Sequence, residues 1–506
     1  MPYGSFVYGE KLYGPAATDA ELRWLIQVDW DGDGVLDAAN EALYAVDLSV
    51  TRGRDFFIRL SGGDAVGFEH IKPGRATVVL SNDTDRYSPL NTTGPLYPNI
   101  LPGRYIKIQA VHNNIYYPVF AGTIEDIQSL ADKKQVRISC VDGMQWLSDR
   151  DADVAIQTST GPDEAADLIL DAAGWPTIWG RDVQSTSEVL PYWWTSNKRA
   201  LQELHDLADS VVGLFYCRAD GAAKFVTLNY AGKGAATITQ SDVLREIYLP
   251  QPWEVVRNYI KVVARPRVLQ NNIELWRLGE IALVPTGSSI TRWATYTYNN
   301  EQVPATSVTA PVATTDYTAN SAADGSGTNY TANIGIVRTN INGTTSKFVI
   351  SNAGPDAYLT LFKLRGDAVT VPNSFSIIEE DLSSQAVFGK KRLVLDSNWL
   401  QDGNKASAVA SWLIDYLPGA FYFPIVTLEA RPDIQFSPDL LDTINFESSA
   451  LHIPAQDYRV GYVEHRWLNE NGTACQTTWK LESVPQIARN YWTFPTQLGT
   501  TSVLGL

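Results

Sequence analysis

Apolar and polar positions alternate at period two through much of the first third of the chain, and that alternation predicts half-buried strands. The clearest pair is Ala76–Leu80 and Tyr105–Ile108, each entered through Pro-Gly-Arg and separated by a long polar loop that begins Ser81-Asn82-Asp83. Pro-Gly marks a turn, because Pro presets φ and Gly admits backbone shapes closed to other residues. Leu25, Val28 and Trp30 precede an acidic loop, and Leu43, Val46, Leu48 and Val50 follow it. Further alternating runs cover Tyr105–Val111, Val119–Ile127 and Val136–Val141. From Trp24 to about Asp149 the pattern predicts a β-barrel or a strongly curved sheet.

The period changes near residue 150. Gly161-Pro162-Asp163-Glu164 starts a helix, with Pro in the first turn and acids against the positive dipole end. Ala165, Leu168, Ile169 and Ala172 form its apolar stripe, and Gly174 and Pro176 end it. A second helix is predicted from about Lys198 to Val212, with Leu201, Leu204, Ala208 and Val211 on one face. Asp220-Gly221 then joins Leu214–Arg218 to Lys224–Leu228 as a hairpin. Strands resume at Val255–Ala264. Residues 300–360 turn rich in Thr, Asn, Ser, Gly and Ala, a composition that suits disorder or a polar inserted β-domain. Alternation at Lys347–Ile350 and Tyr358–Leu364 favours the β-domain. A helix at Ala406–Leu417 stops at Pro418-Gly419, and strands run from Tyr422 to Val484.

One strand has an echo. Phe120-Ala121-Gly122-Thr123-Ile124-Glu125 resembles Arg459-Val460-Gly461-Tyr462-Val463-Glu464 through Gly-x-(Ile/Val)-Glu. Each copy lies between a preceding strand (Tyr105–Ile108; Leu441–Phe446) and a following one (Val136–Cys140; Thr477–Leu481). Glycine inside a strand marks a bulge or a tight bend.

The 506 residues exceed what one core organises, so several domains are expected. The 15 Trp and 24 Tyr suit rigid β packing and large contact surfaces. A net charge of −16 and a pI near 4.8 argue against a DNA-gripping protein, yet suit a wall past which phosphate slides without sticking. Cys140, Cys217 and Cys475 are too few and too dispersed for a disulfide framework or a zinc site, and read as buried small hydrophobes. No apolar run approaches the ~20 residues that span a bilayer, and MPYGSFVYGEKLYG lacks a signal pattern.

The sharpest chemical motif is Asp29-Trp30-Asp31-Gly32-Asp33-Gly34-Val35-Leu36-Asp37. Alternate carboxylates with Gly at the sixth place match the start of a calcium loop, with Asp29, Asp31, Asp33 and Asp37 as candidate ligands. The pattern then fails, because Asn40 stands where Glu is required and Glu41 comes one residue late. Two readings stand: a site for Ca2+ or another hard cation, and an exposed Asp/Gly turn. Arg365-Gly366-Asp367 spells an adhesion tripeptide but reads as a strand-end turn. The five histidines show no metal-ligand spacing; His205 reads as part of a polar helix face and His465 as part of a solvated strand. No nucleophile elbow, phosphate loop or dinucleotide fingerprint occurs, so no catalytic or cofactor-binding residue is assigned. Glu379-Glu380 is the one acidic pair weighed for glycan cleavage, and nothing places the two carboxyls across a cleft. Tyr192, Trp193, Trp194, Trp175 and Trp179 form an aromatic cluster, read as core or interface before sugar binding.

Several pieces, in order, resemble the baseplate hub or tail-tip proteins of tailed bacteriophages: Val50-Thr51-Arg52-Gly53-Arg54, Gly67-Phe68, Pro73–Ile108, Phe120-Ala121-Gly122, Leu201–Gly213 with its hairpin, Ser384–Gly389, Trp399-Leu400 and Ala406–Leu417. Together they span about residues 50–485. The resemblance implies a non-enzymatic virion protein, assembled in the host cytoplasm as a homotrimer, with two tail-tube-like β-barrels per chain. It implies the distal tail protein, the tape-measure protein and a spike or tail fibre as partners, with DNA passing through the ring and no membrane span. The loop Ser81–Leu101 becomes a candidate subunit contact.

The expected fold class is therefore mainly β with α+β, multidomain. Residues 1–149 form a first barrel, 150–245 a small α+β domain, and 246–300 the start of a second barrel. Residues 301–395 form an inserted polar β-domain, 396–490 a helix and the rest of the second barrel, and 491–506 a tail. The polar segment at about 270–395 exceeds what a minimal hub needs, and the short tail after Val484 carries no lysin domain. The competing functions are a carbohydrate- or receptor-binding adhesin and a glycan hydrolase.

Overall fold

The computed structural model describes residues 21–483 apart from 56, 62–63, 228–229, 231, 244–246 and 372. The N-terminal stretch scanned for a signal pattern, Val484 and the 491–506 tail lie outside the described residues.

The first eight strands are β1 (Arg23–Val28), β2 (Ala45–Gly53), β3 (Ile58–Ser61), β4 (Asp64–Phe68), β5 (Lys72–Ser81), β6 (Tyr105–His112), β7 (Ile115–Leu130) and β8 (Gln135–Val141). Their alternation does what the sequence predicts: Ile106, Ile108 and Ala110 of β6 and Ala76, Val78 and Leu80 of β5 point into one core. Each Ile, Val or Leu among them contributes roughly 1.5–3 kcal/mol when fully buried.

The two expected barrels are not present. Six of these strands, ordered β1-β6-β7-β8-β5-β2, continue directly into Ile453–Trp467, forming one open sheet of eleven strands. Along one edge of Ile453–Trp467 lie first Thr443–Ser448 and then β2; along the other lies Cys475–Ser483, followed by Ile425–Glu429. Nor do the C-terminal pieces belong together. Tyr259–Ala264 and Arg392–Asp396 join β3, β4 and Phe375–Glu380 in a separate five-stranded sheet.

The physical reason lies at β1. A barrel requires the free edge of β1 to find a strand. Instead the following loop satisfies that edge: Asn40 Oδ1 accepts from Ile26 N at 3.0 Å, Asn40 Nδ2 donates to Trp24 O at 3.0 Å, and Asp37 N donates to Val28 O at 3.3 Å. Side chains close the gap in place of a ladder, with Trp24 5.4 Å from Trp467 and its indole donating to Gly472 O at 2.7 Å.

Five helices are relevant: α1 (Gly143–Ser148), α2 (Pro162–Ala172), α3 (Ala200–Ser210), α4 (Leu382–Phe388) and α5 (Gly403–Tyr416). α3 follows its predicted stripe; α2 forms where predicted but buries Ala165, Ala166, Ile169 and Leu170 and leaves Ala172 exposed, while α1 and the ribbon of Asp151–Thr160 with Leu190–Arg199 carry no signal in the sequence. α5 lays Ala406, Val409, Ala410 and Leu413 on the five-stranded sheet. The Thr/Asn-rich stretch is folded into strands around the long Ala357–Thr370, with Leu275, Phe348, Leu359, Phe362 and Leu364 in its core. Arg365-Gly366-Asp367 lies inside that strand rather than at its end: Gly366 pairs with Ile273 and Val308, and Arg365 forks onto Asp316 at 2.7 and 2.9 Å.

Candidate functional site: an acidic loop and a buried seam

The acidic loop is built by its own amides. The carboxylate of Asp29, buried, accepts from Gly32 N at 2.7 Å, Asp33 N at 3.2 Å and Gly34 N at 3.0 Å. Gly32 and Gly34 supply the positive φ, 76° and 88°, that folds the chain back. Asp31 and Asp33 are exposed, and one oxygen from each of Asp29, Asp31 and Asp33 lies within 4.8 Å of the others. This all-oxygen group is capable of holding a hard metal ion. Asp37 stands outside it, with Oδ2 accepting from Trp30 N at 3.3 Å.

The two residues that spoil the calcium pattern have other work. Asn40 patches β1, as described. Glu41 is 1 % exposed and accepts from the Trp30 indole at 3.0 Å, from Arg86 Nη2 at 3.3 Å and from the Tyr87 hydroxyl. Burial, then the Glu41 carboxylate, pushes the Tyr87 phenol well above its ordinary range. The guanidinium of Arg104 rests against Gly32, so close that a Cβ there would sit 1.8 Å from Nη1. That contact places a cation beside the carboxylates, which no local pattern announces.

The second feature is the seam joining the N- and C-terminal strands. β2 runs antiparallel to Ile453–Trp467, from Ser49 opposite Arg466 to Gly53 opposite Tyr462. Gly53 has φ 113°, and a Cβ there would lie 2.3 Å from Gly461 O. Only glycine fits. Arg54 N donates to Gly461 O at 2.9 Å, and its side chain forks onto Glu482 at 3.0 and 2.8 Å, the two side chains being 7 % and 9 % exposed. Arg52 pairs with Asp439 at 2.7 Å. Beside it Asp142, buried, accepts from Gly74 N at 2.7 Å and Met144 N at 2.9 Å; burial still raises its carboxyl to about 7. The Val50–Arg54 motif thus encodes the junction, and its arginines have partners that sequence reading did not find.

Other expectations change. His465 is buried rather than solvated: it shares a hydrogen bond with Thr477 at 2.9 Å, and burial lowers its pKa to about 3. His205 leaves the polar helix face to stack on His70, with ring centroids 4.0 Å apart. The aromatic cluster is two clusters. Trp175 and Trp179 pack edge-on with Trp146 nearby, whereas Trp193 and Trp194 meet Trp399. All three cysteines are free and buried. Among the described residues no helix is long and apolar enough to cross a membrane.

No family model and no curated protein matches the chain. Among solved structures, it is similar to the tail protein of Neisseria meningitidis MC58, at 10 % identity over 91 % of this chain and 96 % of that one, with a TM-score of 0.48. It is similar to a 43 kDa tail protein of prophage MuSo2 from Shewanella oneidensis, at 9 % identity over 91 % and 98 %, TM-score 0.48. A prophage tail protein of Listeria monocytogenes EGD-e matches at 8 % identity over 91 % and 94 %, TM-score 0.43. All three are tail proteins.

Proposed function

We propose that this chain is a structural hub at the tip of a bacteriophage tail, a homotrimer that joins the tail tube to a spike or fibre and leaves a passage for DNA. The observation that carries the reading is the pair of antiparallel meanders in one sheet. β6-β7-β8 and Thr443–Ser448, Ile453–Trp467, Cys475–Ser483 are each centred on a long strand bearing Gly-x-(Ile/Val)-Glu. Three copies bring six such meanders, the number a six-fold tube meets. The Ser81–Leu101 loop, with Leu90 92 % exposed, suits a subunit contact. The net charge of −16 per copy suits a lumen that repels phosphate weakly. The partners are the distal tail protein, the tape-measure protein and the spike or fibre, and the place of action is the virion after assembly in the host cytoplasm.

Mass measurement in solution tests the reading. A particle of three 55.8 kDa chains that co-purifies with tail tube protein is expected; a monomer that ignores the tube protein would overturn it.

The acidic loop is a structural Ca2+ site in this reading, with Asp29, Asp31 and Asp33 as ligands and Asp37 in reserve through a bridging water. Asp31→Ala should then lower the unfolding temperature only when calcium is supplied. Equal loss in chelator would leave a plain turn.

A further inference from the structure

Between the ribbon of Leu190–Arg199 and the Thr/Asn-rich β-unit lies a cleft of about 680 Å³. Its floor is Arg267. The guanidinium sits 5.0 Å from the ring of Trp194 and 5.3 Å from that of Trp399, and donates through Nη2 to Asn398 O at 2.6 Å. Its Nε is buried without a hydrogen-bond partner, and no carboxylate pairs with it among the described residues.

The other cations at the cleft are accounted for. Lys198 is held by Glu203 at 2.9 Å and Asp206 at 3.1 Å. Arg265, two residues earlier in the chain, is neutralised by Asp396 at 2.9 Å. Glu301 is exposed on the rim. One desolvated cation therefore faces the cleft uncompensated. Burial and the Arg265 charge together lower its pKa to about 10.

A single unpaired charge matches a monoanion better than a phosphate, which carries about −1.5 to −2 near neutrality. The planar fork of arginine suits a carboxylate. The lining adds the amides Gln270, Asn299 and Gln302 and the ring of Tyr298, together with hydroxyls such as Thr195 and Thr370 and aliphatic residues such as Val303 and Val369. Amides meet hydroxyl groups, and aromatic faces meet the C–H face of a saturated ring. The hairpin that carries Tyr298 and Asn299 is a rigid two-residue turn, with Asn299 and Asn300 at φ 51° and 66°. The volume falls within the usual range for a small-molecule site.

We propose that this cleft binds a carboxylate-bearing sugar, Arg267 taking the carboxylate while Gln270, Asn299 and Gln302 meet ring hydroxyls. The site lies outside both the acidic loop and the seam, and stands independently of the tail-hub reading.

The test titrates the full chain with a glucuronic-acid disaccharide, its neutral glucose counterpart, acetate, inorganic phosphate and an acidic peptide, following tryptophan emission from the Trp194–Trp399 pair. The uronic disaccharide should saturate, with the neutral sugar about tenfold or more weaker, the step expected for losing a charge-assisted bond. Arg267→Gln should reduce uronate binding to the neutral level. Gln302→Ala, at an exposed position whose amide also donates to Thr344 Oγ1 at 2.7 Å, should weaken the uronate several-fold without touching acetate, and serves if Arg267→Gln unfolds. Equal affinity for the two disaccharides, or tighter binding of phosphate or of the acidic peptide, would overturn the proposal.

Discussion

The two meanders share a motif but use it in opposite ways. In the first, Gly122 admits its own neighbour: a Cβ would lie 2.2 Å from Val141 O, at the end of β8, and 2.9 Å from Cα of Asp142, the residue after it. The contact is internal to β6-β7-β8. In the second, Gly461 meets the other half of the molecule through its carbonyl, while its missing Cβ makes room for Glu482 on the next strand of its own meander. A Cβ there meets Glu482, 2.8 Å from Oε1, and the carbonyl receives Arg54 N. The same four-residue pattern serves a local bend in one copy and a long-range junction in the other. The difference teaches that a repeated strand can keep its shape while exchanging its partners.

The seam should yield the largest effect. Arg54→Ala leaves Glu482 buried without its fork, and should cost about 3–5 kcal/mol in denaturant unfolding. Replacing both Arg54 and Glu482 with apolar residues should recover much of that loss. If Arg54→Ala costs no more than a surface mutation, the junction is not where the halves are held.

Next come the glycines. Gly122→Ala drives Cβ into backbone that cannot yield, and should cost about 1–3 kcal/mol. Gly461→Ala presses on a side chain, so it should cost less by itself. It should also be non-additive with Arg54→Ala, since both act on Glu482. Additive behaviour would separate Gly461 from the seam.

Per pH unit the smallest effect is the pH response, and here the two meanders should diverge in sign. Asp142, next to the end of β8, has its folded pKa raised by burial to about 7, above the unfolded value near 3.9. Its contribution is full below about pH 4 and is lost as pH rises through 7. His465 in the second meander has its folded pKa lowered to about 3, below the unfolded value near 6.5. Its contribution is full above about pH 6.5 and is lost as pH falls toward 3. Relative to wild type, Asp142→Asn should therefore gain stability as pH rises from 4 to 7. His465→Asn should gain as pH falls from 6.5, each by at most about 1.4 kcal/mol per pH unit. Curves parallel to wild type would show that neither group titrates on folding.

Much of the fold is legible along the chain. Period-two runs locate β5 to β8, and Pro162-Asp163-Glu164 starts α2 where the structure starts it. The three clustered carboxylates of the acidic loop are legible as well, because their ligand spacing is local. His465 is not: alternation assigns a face to each residue, but whether that face meets water depends on Phe436, 5.1 Å away in space and 29 positions earlier. Arg54 is legible as a motif and illegible as a contact, since Glu482 lies 428 residues on.

By itself the sequence determined where β5 to β8, α2, α3 and α5 lie, and that acidic groups crowd one loop, since each depends on neighbours within a few positions. Only the tertiary structure decided that the strands form an open sheet and not two barrels. An edge strand reads the same whether its free amides meet another strand or the side chain of Asn40. It likewise decided which glycine marks a bend and which a junction, because van der Waals exclusion acts between whatever atoms the fold brings together.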